Sequence, residues 1–147
     1  MFNSQILDFF SLLKKHNISF SLGGSGMLVA LGLLPSSERN DWDILSDCHI
    51  DKIKSLIVNF KHIQAQKPYA SEYLLKFEYQ GEKIDWIGKF AIYDQLNHKH
   101  HFTSKPHSHH LGVPICDPEE WLKVYELLNR NEKVEILRKY LHRLKDS

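Results

Sequence analysis

Apolar residues recur at helical spacing at Phe2, Ile6, Phe9, Phe10 and Leu13, and the stretch closes on Lys14-Lys15, whose charge suits a helix C-terminus. This predicts a first helix over about residues 3–16. Ile18, Phe20 and Leu22 then alternate with other residues and run into Gly23-Gly24-Ser25. Beyond that turn, Met27, Leu28, Ala30, Leu31 and Leu34 predict a buried helix ended near Pro35. After a polar loop, Asp41-Trp42-Asp43-Ile44-Leu45 reads as a short strand closed by Ser46-Asp47. Ile50, Ile53, Leu56, Ile57 and Phe60 restore helical spacing. A strand at 62–66 precedes two stronger ones at 73–79 and 83–87, joined through Gln80-Gly81 as a hairpin. Residues 95–112 are polar and irregular and form the longest predicted loop. Asp117-Pro118-Glu119-Glu120 then supplies an N-cap residue, a proline at the first helical position and acids in the first turn. Trp121, Leu122, Tyr125 and Leu128 form the apolar face of that helix, and a terminal helix runs from 132 to about 144.

This order of helices and strands predicts an α/β or α+β sandwich. With 147 residues, 42% hydrophobic and 25% charged, the chain suits one domain over 1–147, with a core at 18–90 and C-terminal helices at 117–145. A formal net charge of +1 provides no bulk field, which argues against a long nucleic-acid track or an anionic membrane surface as partner. The longest apolar run, 27–34, is far short of the roughly 20 residues of a membrane-crossing helix. Asp8 within the first apolar stretch and the lack of a basic start argue against a secretory signal. Two cysteines, Cys48 and Cys116, are too few for a disulfide scaffold, and the expected location is the reducing cytoplasm.

The chemistry concentrates in three places: Gly23-Gly24-Ser25 at a strand-to-helix turn, Asp41-x-Asp43 on a strand, and Asp85 on a later strand. Glycines let the backbone take positive φ and approach a ligand, a helix start offers N–H groups to a phosphate, and Ser25 adds a hydroxyl donor. On a strand, Asp41 and Asp43 project to one face while Trp42 turns to the other. Paired carboxylates repel, and a hard divalent cation such as Mg²⁺ relieves them and bridges to substrate phosphates. Asp85 adds a third carboxylate, as a second-metal ligand or as the base for an attacking hydroxyl.

The run LGGSGMLVALGL, the DWDIL strand and the KIDWI strand resemble the DNA polymerase β-like nucleotidyltransferase superfamily, and within it the small stand-alone bacterial proteins. The resemblance covers roughly residues 18–90. It implies a mixed sheet flanked by helices. It also implies that Gly23, Gly24 and Ser25 hold nucleotide phosphates, that Asp41 and Asp43 hold Mg²⁺, and that Asp85 is the third carboxylate of the catalytic and metal-binding set. The implied activity is Mg²⁺-dependent transfer of a nucleoside monophosphate from an NTP to an acceptor hydroxyl. No separate acceptor-binding domain is visible.

Other features have plainer readings. Arg39 is either a phosphate contact or, more simply, a loop arginine or a partner for Asp41, and Lys76 and Lys83 face the same cleft if the hairpin pleat turns them there but are expected as exposed strand lysines. Asp117-x-Glu119 is helix capping, and Trp121, Tyr125 and Leu128 are helix core, with Trp42 and Trp86 packed on the sheet face away from the acids. His98, His100, His101, His107, His109 and His110 tempt a transition-metal reading, but their spacing fits no zinc pattern and a solvated loop is the expectation. The alternative to an enzyme is a catalytically inactive module of the same fold, acting through nucleotide binding, a protein partner or a homodimer that covers the cleft.

Overall fold

A computed structural model describes residues 2–146, so the two ends of the unit expected over 1–147, Met1 and Ser147, lie outside the described residues. Helix α1 (Ser4–Lys15) starts where the Asn3 side chain accepts a hydrogen bond from the Ile6 N–H at 2.8 Å. Its Ile6, Phe9, Phe10 and Leu13 are buried, each contributing roughly 1.5–3 kcal/mol by leaving water. Asn17, at φ 56°, ends the helix: the Ile18 N–H bonds back to the Leu13 carbonyl and the Asn17 N–H to that of Lys14. The chain thereby reverses into strand β1 (Ser21–Gly23) and helix α2 (Gly24–Ala30). The same closure, built on Gly32 at φ 76°, stops α2 before Leu31, four residues earlier than Pro35 suggested.

Strand β2 (Trp42–Ser46) follows a short 3-10 turn, and helix α3 is confined to Ile50–Lys54 although the apolar spacing continues to Phe60. Leu56, Ile57 and Phe60 pack against the core from irregular backbone, while the Ser55 hydroxyl caps the last turn through the Lys52 carbonyl at 2.7 Å. Strand β3 (Lys61–Ile63) is shorter than expected; β4 (Tyr73–Tyr79) and β5 (Glu82–Gly88) form the predicted hairpin, with Gln80 and Gly81 both at positive φ as its two-residue turn requires.

The expected loop at 95–112 contains two strands. Strand β6 (Ala91–Tyr93) pairs with β7 (Lys99–His101), and β8 (Ser108–His110) pairs with β9 (Val113–Ile115). Asp94 builds the first hairpin by accepting from the Leu96 and His98 N–H groups and bonding His100 at 2.8 Å. Helices α4 (Pro118–Leu127) and α5 (Asn131–Lys145) complete the chain, with Asp117 capping α4 as its sequence indicated.

The main sheet is mixed, in the order β3-β4-β5-β2-β1-β9-β8, with β2 parallel to β5 and β1 parallel to β9. Its two faces differ. On one, Trp42, Ile44, Leu75, Phe77, Ile84 and Trp86 are buried, with Trp42 against Phe2 and Phe10 of the N-terminal segment and Trp86 against Phe9. On the other, Asp43, Leu74, Asp85 and Ile87 are only half-buried. A cleft lies over that second face.

Candidate active site

The cleft encloses about 760 Å³ and is lined by the second face of the sheet, by Ser25 and by residues of α4 and α5. Its floor follows from strand register. Gly23 is paired with Asp43 across β1 and β2, Asp43 with Asp85 across β2 and β5, and Asp85 with Lys76 across β5 and β4. Partners in register share a face, so the two carboxylates and the lysine project together into the cleft. Asp41, just before β2 and two residues from Asp43, lines it as well.

Gly24 sits at φ 59°, and a β-carbon there would fall 2.1 Å from Asp43 Oδ2. A β-carbon on Gly23 would fall 2.3 Å from the Trp121 ring. The clearance that the two glycines provide is thus filled from within the chain, by the carboxylate on one side and the indole on the other. Trp121 in turn stacks on Phe90, with centroids 5.5 Å apart and planes at 28°. Ser25 is buried, and its hydroxyl oxygen accepts the Asn40 N–H at 2.8 Å, which fixes the loop leading to Asp41 and leaves the hydroxyl proton to donate.

Electrostatics single out Asp43. Its pKa is raised from 3.8 to about 7, chiefly by burial, then by the charges of Asp85 and Asp41, with Lys133 and Lys76 opposing. Lys76 forms a 2.8 Å ion pair with Asp85, and that bond raises the lysine pKa. Lys133, from the first turn of α5, lines the cleft and is held below the usual lysine range by burial and by Arg130, with Asp43 pulling the other way. The carboxylates therefore face cations from both sides.

Asp41, Asp43 and Asp85 border one cleft, yet among the described residues no three His, Cys, Asp or Glu side chains converge as a ready-made metal cage. The donor set still fits a hard cation. Mg²⁺ is commonly held by one or two carboxylates, with phosphate and water completing an octahedron, and the charge crowding that raises the Asp43 pKa is what a divalent ion offsets. Arg39 stands apart from this chemistry: its guanidinium lies 3.8 Å from the Trp42 ring centroid and 3.9 Å from Glu82, and it does not pair with Asp41. Lys76 and Lys83 are both exposed, as expected, and Lys76 also lines the cleft. Trp121 and Tyr125 are buried helix core, as expected, while Leu128 is half-buried just past α4, and all three also wall the cleft. Of the histidines, His98 and His100 are drawn to Asp94, and His107 lies 3.9 Å from Asp117.

Two cleft residues, Arg130 and Lys133, were not legible as site residues. For Lys76 a signal existed, because a two-residue turn at Gln80-Gly81 sets Tyr79 opposite Glu82 and hence Lys76 opposite Asp85. Lys133 had none, since its position depends on how α5 docks.

No sequence family matches this chain, and no curated protein does. A solved structure does: a protein of Thermotoga maritima described as a "putative nucleotidyltransferase" superposes with a TM-score of 0.66 over 97% of this chain and 96% of that one, at 20% identity. Likeness at that identity speaks for the fold, and the chain has a nucleotidyltransferase-like fold.

Proposed function

We propose that this protein belongs to the DNA polymerase β-like nucleotidyltransferases and transfers a nucleoside monophosphate from an NTP to an acceptor hydroxyl, releasing pyrophosphate. The observation that carries the reading is the register pairing of Asp43 with Asp85 beside the Gly23-Gly24 turn, on the floor of one cleft. Asp41 and Asp43 hold Mg²⁺, and Asp85 is the third carboxylate. Bound there, the ion supplies charge compensation for the phosphates and the leaving pyrophosphate. Ser25 donates its hydroxyl proton to a phosphate oxygen, and the missing side chain of Gly24 leaves the Asp43 carboxylate its place beside that turn. The acceptor oxygen attacks the α-phosphorus, its bond to the pyrophosphate oxygen breaks, and the acceptor proton passes to Asp85 once Lys76 has released it. The location we assign, on the resemblance to small bacterial proteins and on two cysteines too few for a disulfide scaffold, is the cytoplasm of a bacterium.

The Lys76–Asp85 ion pair favours a second reading, a module that binds nucleotide without turnover, because it engages the third acid. Pyrophosphate release from each of the four NTPs, with Mg²⁺ and a mixture of small alcohols as acceptors, separates the two. Release that disappears in Asp43→Asn and Asp85→Asn, with unchanged circular dichroism, supports the transferase. Release equal in wild type and both variants contradicts it, and Mg²⁺-dependent nucleotide binding with no release supports the binding module.

A further inference from the structure

Beside the row of acids, the same sheet face carries a row without charge. Ile87 lies two residues beyond Asp85 on β5 and is paired with Leu74 of β4, which is paired in turn with Ile63 of β3. All three share the cleft face, line the cleft and are half-buried. Strand geometry makes this strip roughly 10 Å long and sets it roughly 7 Å from the row that holds Asp85. The chain leaving β3 adds Gln64 and Gln66 to the cleft lining, and the chain entering β4 adds Ser71. Both glutamines are exposed and their amides make no hydrogen bond among the described residues, while the Ser71 hydroxyl oxygen accepts the Ala91 N–H at 3.1 Å and keeps its proton to donate. Among the described residues that β3, β4, β5 and their connections give to the cleft, Lys76 and Asp85 are the only charged ones, and they are tied to each other at 2.8 Å.

We infer that this strip receives the acceptor, and that the acceptor is a small uncharged molecule that lays an apolar face on Ile63, Leu74 and Ile87 and presents its hydroxyl to Asp85. The inference rests on the nucleotidyltransferase reading above and deepens it by naming the chemical class of the acceptor. In-line displacement supplies the direction, because the attacking oxygen and the departing pyrophosphate oxygen stand on opposite sides of the α-phosphorus. Across the sheet, in the order β1-β2-β5-β4-β3, the Gly24-Ser25 turn at the end of β1 comes first, Asp43 and Asp85 follow, and the strip continues over β5, β4 and β3. Pyrophosphate held at the turn leaves the attacking hydroxyl the side of Asp85 and the strip. Charge then narrows the acceptor. The phosphates of a nucleic-acid end call for cations that this part of the cleft does not offer, and any charged body gives up water there without gaining a partner. A neutral body loses nothing of that kind: its apolar face meets the three aliphatic side chains, and its remaining polar groups meet two free amides and a serine hydroxyl. The cleft volume of about 760 Å³ falls within the range of small-molecule sites.

The test is a methyl NMR titration of the full chain, labelled at Ile, Leu and Val, with phenyl β-D-glucoside, which is neutral and carries an apolar ring. Phenyl β-D-glucuronide, the same molecule with a carboxylate in place of its hydroxymethyl group, and hexa-adenylate RNA are titrated beside it. The methyls of Ile63, Leu74 and Ile87 are expected to shift saturably with the glucoside, and those of Val58 and Leu111, exposed elsewhere, to stay still. The glucuronide and the RNA are expected to bind about tenfold or more weakly at the strip, and Leu74→Thr to weaken the glucoside about threefold to tenfold. Gln64→Lys, a change at an exposed position, is expected to narrow the preference for glucoside over glucuronide, and it decides alone if Leu74→Thr does not fold. A glucoside that leaves the three strip methyls unmoved or moves Val58 and Leu111 as much, or a glucuronide or RNA that binds the strip as tightly, overturns the acceptor class. ATP with Mg²⁺ that displaces the glucoside from the strip assigns it to the nucleobase and overturns it too. Calorimetry of the four NTPs with Mg²⁺ keeps the two readings apart: nucleotide binding with a silent strip leaves the transferase standing and removes this acceptor, and no nucleotide binding removes both.

Discussion

Asp43 occupies, with its Oδ2 atom, the space that a β-carbon on Gly24 would fill, at 2.1 Å. Backbone and carboxylate are thereby interlocked at the end of β1, and the glycine is required twice, for its φ of 59° and for its missing side chain.

Gly24→Ala is therefore expected to lose both stability and the site. The positive φ alone costs about 1–2 kcal/mol, and the clash adds to it by pushing Asp43 aside. Gly32→Ala is the matched control: φ is 76°, but nothing lies within 4 Å of the added carbon. Paired thermal melts should show the larger loss at residue 24, and nucleotide binding should survive only in the Gly32 variant. Equal losses in the two would contradict the interlock.

Asp43 sets a pH dependence whose sign is unusual for an acid. Its carboxyl in the folded chain titrates near 7, against 3.8 in the unfolded reference, so between those values the native state holds a proton that the unfolded state has released. Stability from this group falls as pH rises from about 4 to about 7 and stays low above. Asp43→Asn should match wild type near pH 4 and melt higher near pH 8, and saturating Mg²⁺ should narrow that gap by stabilising the ionised wild type. A variant no more stable than wild type at pH 8 would count against a crowded, desolvated carboxylate.

Lys76 offsets part of the same charge. Its side chain is 45% exposed, so solvent screens the pair with Asp85 and Lys76→Met is expected to cost at most about 1 kcal/mol. Divalent binding should respond more than stability does: with one competing cation removed, Mn²⁺ affinity measured by calorimetry is expected to rise several-fold. Weaker Mn²⁺ binding in Lys76→Met would show that the lysine supports the metal rather than competing with it.

The legibility of this fold follows the range of the forces involved. The β4–β5 hairpin was readable because Gln80-Gly81 sets the turn locally, and α4 because Asp117-Pro118 fixes its first turn. Asp41 and Asp43 could be assigned to one sheet face by strand alternation, whereas Asp85 was expected beside them from the resemblance and its place follows from the β2–β5 register. Long-range packing decided the rest. Apolar spacing over 50–60 marks residues that reach the core, but Leu56 and Phe60 reach it without a helix. The strands within 95–112 exist because Asp94 ties a hairpin and because β9 is drawn beside β1, neither of which leaves a periodic pattern. Tyr125 and Lys133 show the same limit: a helical stripe marks what is buried, and only the docking of α4 and α5 shows that it is buried beside Asp43.

The central claim is that Asp43 and its neighbours form a metal-dependent nucleotide site. Its most direct test is calorimetric titration of ATP, GTP, CTP and UTP into wild type and Asp43→Asn, each with and without Mg²⁺. The account predicts that at least one nucleotide binds wild type with Mg²⁺ and that this binding is lost both without the ion and in Asp43→Asn. Binding that is indifferent to Mg²⁺ and to Asp43, or no binding of any of the four, would contradict it.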